Sequence, residues 1–123
     1  MKNQAYRMAM LFDFYGDLLT ERQREFYDLY YNEDLSLAEI AENYGISRQG
    51  VRDVIVRAEA TMTEIEDKTH IIRRFQQSRA AIAAIDQAAD RLLQSIDRRS
   101  YSDATLDELA RTIKENVAKL EQE

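Results

Sequence analysis

Apolar residues recur every three or four positions along almost the whole chain, a spacing that predicts helices rather than strands. Met8, Leu11, Phe12 and Tyr15 make the first such stripe, in a helix expected over roughly residues 3–19 that Gly16 either ends or bends. The next begins with Thr20-Glu21-Arg22-Gln23. In this capping box the threonine hydroxyl and the glutamine side chain each satisfy a free backbone amide of the other residue. Phe26, Leu29 and Tyr30 supply its inner face, and Asn32-Glu33-Asp34 reads as a polar turn. Ser36-Leu37-Ala38-Glu39 repeats the box and opens a short helix with Leu37, Ile40 and Ala41 inward, which stops at Tyr44-Gly45. Ser47 caps the following helix, whose inward positions are Val51, Val54, Ile55 and Ala58.

From Thr61 the pattern narrows. Ile65, Ile72 and Phe75 lead into Ile82, Ile85, Ala89, Leu92 and Ile96, a stripe stepping by threes and fours as a coiled-coil seam does. Whether this stretch continues the helix begun at Ser47 the pattern leaves open. Residues 98–102 read as a break, and Leu106, Leu109, Ile113, Val117 and Leu120 line one side of a last helix. The expected architecture is all-α: a four-helix domain over residues 1–61, then a helical hairpin over 62–123 that is a candidate oligomerisation element.

Composition agrees. The chain has no proline and three glycines, so long helices with short connections are expected. With 45% apolar residues it has the material for a core. The absence of cysteine excludes disulfides and thiolate metal sites. No signal peptide is visible and no apolar run is long enough for a bilayer, so a cytoplasmic protein without a membrane role is expected. His70 is the only histidine, which leaves hydrolytic triads and imidazole-rich metal sites without their parts. Carboxylate pairs such as Glu64/Asp67 and Asp103/Asp107 read as surface charge. Neither an enzyme nor a cofactor is expected.

One segment carries a functional pattern: LSLAEIAENYGISRQGVRDVIVRAEA, Leu35–Ala60. A helix-turn-helix needs a small residue where its helices cross, a glycine in the turn and an aliphatic residue pinning the second helix to the first. Ala41, Gly45 and Val51 stand at those places. Arg48, Gln49, Arg52, Asp53 and Arg57 then face outward by helical geometry. Arg48, Gln49 and Arg52, near the start of the second helix, are the candidates for base edges of double-stranded DNA. Ser36 and Ser47, at helix N-termini, and Arg57 are the candidates for phosphates. Arg22 and Arg24 could add backbone contacts.

The stretch beginning LTERQRE resembles the DNA-binding region 4 of bacterial sigma factors. More narrowly, MAMLFDFYGDLLTERQREFYDLYYNEDLSLAEIAE, Met8–Glu42, is similar to the YlxM family of small helix-turn-helix proteins of Gram-positive bacteria. That resemblance covers about the first 75 residues and implies a regulatory role, with a link to signal recognition particle components inferred from neighbouring genes. Two positions depart from sigma region 4: Gly50 lies in the first turn of the second helix and Asp53 sits among its arginines.

Net charge bears on the choice of partner. At −6 the chain as a whole repels DNA. Locally, Ser47–Ala58 carries Arg48, Arg52 and Arg57 against Asp53, three positive charges less one negative, an excess of two. Counterions screen more distant charges beyond about 10 Å at 0.1 M salt, so the local excess governs close contact. Two functions are therefore expected to compete. One is a DNA-binding regulator acting as a homodimer through its C-terminal helices. The other is a protein-interaction module, for instance on the signal recognition particle, in which the helix-turn-helix is scaffold.

Overall fold

The computed structural model describes residues 5–122, and among these it is helical without a strand. The helices are α1 (Ala5–Tyr15), α2 (Glu21–Tyr31), α3 (Leu37–Tyr44), α4 (Arg48–Thr69), α5 (Ile71–Asp97) and α6 (Asp103–Glu121). Asn3 and Gln4, with which the first helix was expected to begin, lie outside the described residues. Gly16 ends α1, and a single tight turn over Gly16–Leu18 leads on to α2. The capping boxes at Thr20 and Ser36 are both formed, with every hydrogen bond in place. These boxes explain why α2 and α3 start where they do.

The chain divides into two compact units, Met1–Ile72 and Arg73–Glu123. In the first, α1, α2 and α3 all pack on α4. The core is Phe26, Tyr27, Ile40, Val51, Ile55, Ala58 and Met62, all fully buried, ringed by Met8, Leu11, Tyr15 and Ala41. The helix opened by Ser47 runs through residues 61 and 62 without interruption and ends at Thr69. His70 then takes the left-handed conformation, φ 54°. Glu66 closes this corner: its Oε1 accepts from the backbone N–H of Ile72 at 2.9 Å and from the Tyr15 hydroxyl. The Glu66 carboxylate thus caps α5 where His70 turns the chain out of α4, with no glycine or proline at the corner.

All the tyrosines but Tyr101 belong to this unit. Phe12 and Tyr27 stack with centroids 5.1 Å apart, and the buried Tyr27 hydroxyl donates to the Met8 carbonyl at 2.8 Å. Tyr31 donates to Glu59 and Tyr44 to Glu25. Burial first, then neighbouring acidic groups, hold the Tyr27 and Tyr31 phenols far above their ordinary range. Burial with the Glu66 hydrogen bond raises Tyr15, and the bond to Glu25 raises Tyr44. The folded state therefore binds these protons more tightly than the unfolded chain. Their stabilisation is complete below the ordinary phenol value of about 10 and is lost as pH rises above it. Tyr27 and Tyr31 are expected to ionise only as the helices melt. Tyrosinate absorbance and far-ultraviolet circular dichroism, followed together above pH 10, should show one shared transition for them.

In the second unit, the residues buried deepest are Ala81 and Ala88 on α5 and Leu109 and Asn116 on α6. An open groove lined by Arg74, Gln77, Ala81, Asn116 and Lys119 runs along both helices. The fully buried edge of α5 is Ala81 and Ala88, with Ile85, Ala89 and Leu92 half-buried beside it. Ile82 and Ile96, two members of the expected seam, are instead 56% and 58% exposed. The seam is rotated by about one residue from the position that the spacing of large side chains suggests.

Candidate nucleic-acid interface

The sharp turn between α3 and α4 follows from two residues. Gly45 adopts φ 66°, ψ 33°, and its N–H donates to the Ala41 carbonyl, as does that of Ile46 at 3.1 Å. That left-handed corner carries the chain off the end of α3 and into the cap of α4. The Ser47 hydroxyl oxygen accepts from the Gly50 N–H at 3.0 Å, fixing the first turn of α4. A Cβ at Gly50 would stand 3.2 Å from that oxygen, so this glycine lets the cap close and faces Ser47 and Ile46. Nothing lies within 4 Å of the Cβ position of Gly45. Gly45→Ala is thus expected to cost about 1–2 kcal/mol from backbone strain alone. Urea unfolding should register that loss with no change in slope.

The crossing of α3 and α4 is packed by Ile40, Ala41, Val51 and Ile55, each nearly or wholly buried. With these inward, Arg48, Gln49, Arg52 and Arg57 are all exposed on α4, Ser47 is exposed at its start, and Ser36 is half-buried at the start of α3. Among the described residues, Arg48, Arg52 and Arg57 are in no ion pair. The serine oxygens are spent as caps, Ser36 accepting from the Glu39 N–H at 3.1 Å, which leaves each hydroxyl proton available to an outside acceptor. The two accessory cations are engaged: Arg24 pairs with Asp17 at 3.2 Å, and the Arg22 guanidinium lies 5.5 Å from the Phe26 ring centroid.

The outer face of α4 has a sharper organisation than a basic stripe. At 3.6 residues per turn, Gln49, Asp53 and Val56 cluster at its centre, opposite the buried residues. Arg52 and Arg57 stand roughly 140° apart on either flank of that cluster. The Gln49 side-chain N–H donates to Asp53 at 2.8 Å, so the acid that breaks the run of arginines holds a glutamine and not a guanidinium. Val56, 37% exposed, was not among the expected contacts, although the period set by Val51, Ile55 and Ala58 places it outward. Elsewhere, His70 caps α4 in the open, and Glu64 and Asp107 pair with Lys68 and Arg111 one turn along. Among the described residues no cluster of metal-ligating side chains occurs, and no helix is long and apolar enough to cross a membrane.

A short helix, a left-handed glycine corner and a capped second helix with an outward polar face define a helix-turn-helix protein. The particular family is then given by comparison. Residues 2–102 match the family described as "Putative helix-turn-helix protein, YlxM / p13 like", and the chain belongs to it. A UPF0122 protein of Desulforamulus reducens is 45% identical over 85 residues, 69% of this chain and 73% of that one. One from Bacillus thuringiensis is 47% identical over 87 residues, 71% and 79% of the two chains. One from Shouchella clausii is 44% identical over 104 residues, 80% and 95%. The family match extends through α5, well past the stretch of about 75 residues that carries the resemblance in the sequence.

Proposed function

We propose that this protein is a DNA-binding regulator that places α4 in a major groove as a homodimer. The reading rests on one observation above all: among the described residues, three exposed arginines of α4 have no acidic partner, in a chain whose net charge is −6. Unpaired cations retained on one helix of an acidic protein suit a polyanion. Arg57, on one flank, suits a phosphate wall of the groove. Gln49 faces the bases, with Arg52 and then Arg48 on the flank opposite Arg57. Ser36 and Ser47 donate their hydroxyl protons to phosphates. The test is fluorescence anisotropy of labelled duplex DNA over a salt series, wild type against Arg48→Ala/Arg52→Ala. Equal affinities would remove the assigned surface.

A second reading is favoured by Asp53, whose negative charge sits at the centre of the same face. In that reading the helix-turn-helix is scaffold, and the partner is a protein or ribonucleoprotein such as the signal recognition particle. Capture of signal recognition particle components that excess duplex DNA does not diminish would favour it over the first.

A further inference from the structure

The inward positions of α6 step by three and four through Leu106, Leu109, Ile113, Asn116 and Leu120, all buried or half-buried. One of them is polar. Asn116 is only 8% exposed. Its Nδ2 donates to the Thr112 carbonyl at 2.8 Å, one turn back on its own helix. Among the described residues it makes no hydrogen bond across to α5. A polar residue in such a seam costs stability, and here no polar group on the facing helix offsets the cost. The second amide N–H and the Oδ1 are left to the groove that Asn116 lines together with Ala81 and Ala84.

That groove has a volume of about 710 Å³. Small-molecule sites span roughly 300–1,000 Å³ and combine an apolar lining with a few convergent polar groups. Here the apolar part is alanine, and Arg74, Lys119 and the Gln77 amide supply the polar part. Among the described residues no acid lines the groove, and neither Arg74 nor Lys119 is in an ion pair. Glu115, four residues before Lys119, is not bonded to it. The charge on α5 is divided around the helix. At 100° per residue Arg91 projects within about 50° of the groove, whereas Asp86, Asp90 and Asp97 face some 140–180° away. Asp86 and Asp90 border a separate, smaller depression.

We infer that this groove binds a small organic oxyanion, its charged head between Arg74 and Lys119 and its apolar body over Ala81 and Ala84. The guanidinium fork takes two oxygens of a phosphate or carboxylate, and the ammonium adds a point charge. Asn116 donates its second N–H from the wall.

Calorimetric titration of the full chain with phenyl phosphate and with benzoate is the test, because the two share a body and differ in the head. Saturable binding at millimolar concentration is expected for at least one, and the tighter of the two identifies the head. Benzyl alcohol should not bind. The side-chain amide signal of Asn116 should shift with occupancy in a nitrogen-15 spectrum. Arg74→Ala/Lys119→Ala should weaken binding at least about tenfold, since each removes a charge-assisted contact. Both side chains are exposed, so the fold does not need them. Asn116→Leu should complete the aliphatic seam, raising Tm while weakening binding. Arg48→Ala/Arg52→Ala should bind the anion as wild type does, which separates failure of this site from failure of the DNA reading. No saturable binding of either anion, or equal affinity in Arg74→Ala/Lys119→Ala, would overturn the site. Inorganic phosphate binding as tightly as phenyl phosphate would overturn the place of an apolar body in it.

Discussion

Phe26→Ala should remove most of the stability of the helix-turn-helix unit. The ring is fully buried and packs edge-on against Tyr44 at 4.8 Å, joining α2 to the end of α3. Truncating a buried phenylalanine costs about 3–5 kcal/mol, the lost transfer energy plus a cavity that the neighbours fill only in part. A unit that ends at Ile72 holds roughly 4–11 kcal/mol in total at the usual 0.05–0.15 kcal/mol per residue. The loss is therefore of the same order as the whole. It would also loosen Tyr44, the last residue before the Gly45 corner, so the orientation of α4 should suffer before the helices melt. Thermal unfolding by circular dichroism is the check. Phe26→Leu, which keeps most of the volume, should cost less than about 1.5 kcal/mol. Similar melting of Phe26→Ala and wild type would mean that this ring is not at the centre of the core.

Much of the fold could be read in the chain because its local signals agree with its packing. Thr20 with Gln23, and Ser36 with Glu39, are paired residues whose chemistry acts within one turn, so nothing distant could alter them. Gly45 is legible for the same reason: a left-handed corner wants a residue without Cβ. The corner at His70 was not legible, because it is made by long-range contacts. Glu66 reaches the Ile72 amide and Tyr15 reaches Glu66 from a helix 51 positions earlier in the sequence. A histidine in left-handed conformation sends no advance signal of its own. The rotated seam of α5 has a different cause. Hydrophobic spacing weights large side chains, and the buried edge of α5 uses Ala81 and Ala88, while Ile82, Leu93 and Ile96 remain outside. The outward set on α4 was legible from its period. The hydrogen bond between Gln49 and Asp53 was not, since residues four apart on a helix can meet without having to.

That hydrogen bond shapes the second large effect, which falls on DNA affinity. Arg48→Ala/Arg52→Ala removes two guanidiniums from the start of α4, where a recognition helix enters its groove. A base-edge pairing by arginine is worth about 1–3 kcal/mol, so removing both should weaken binding by roughly 30-fold or more. Were both arginines on phosphates, the slope of log affinity against log salt should flatten by about 1.8. Arg57→Ala separates the two kinds of interaction: from the opposite flank it should weaken all sequences alike and flatten the slope by about 0.9. Gln49 acts differently. Its amide N–H already serves Asp53, so its oxygen and remaining N–H are presented in a fixed orientation. Asp53→Ala should release that side chain while removing a negative charge. Affinity for arbitrary DNA should then rise as discrimination between sequences falls. A variant that gained affinity and kept full discrimination would show that Gln49 does not read bases, leaving α4 to grip the backbone through its flanks.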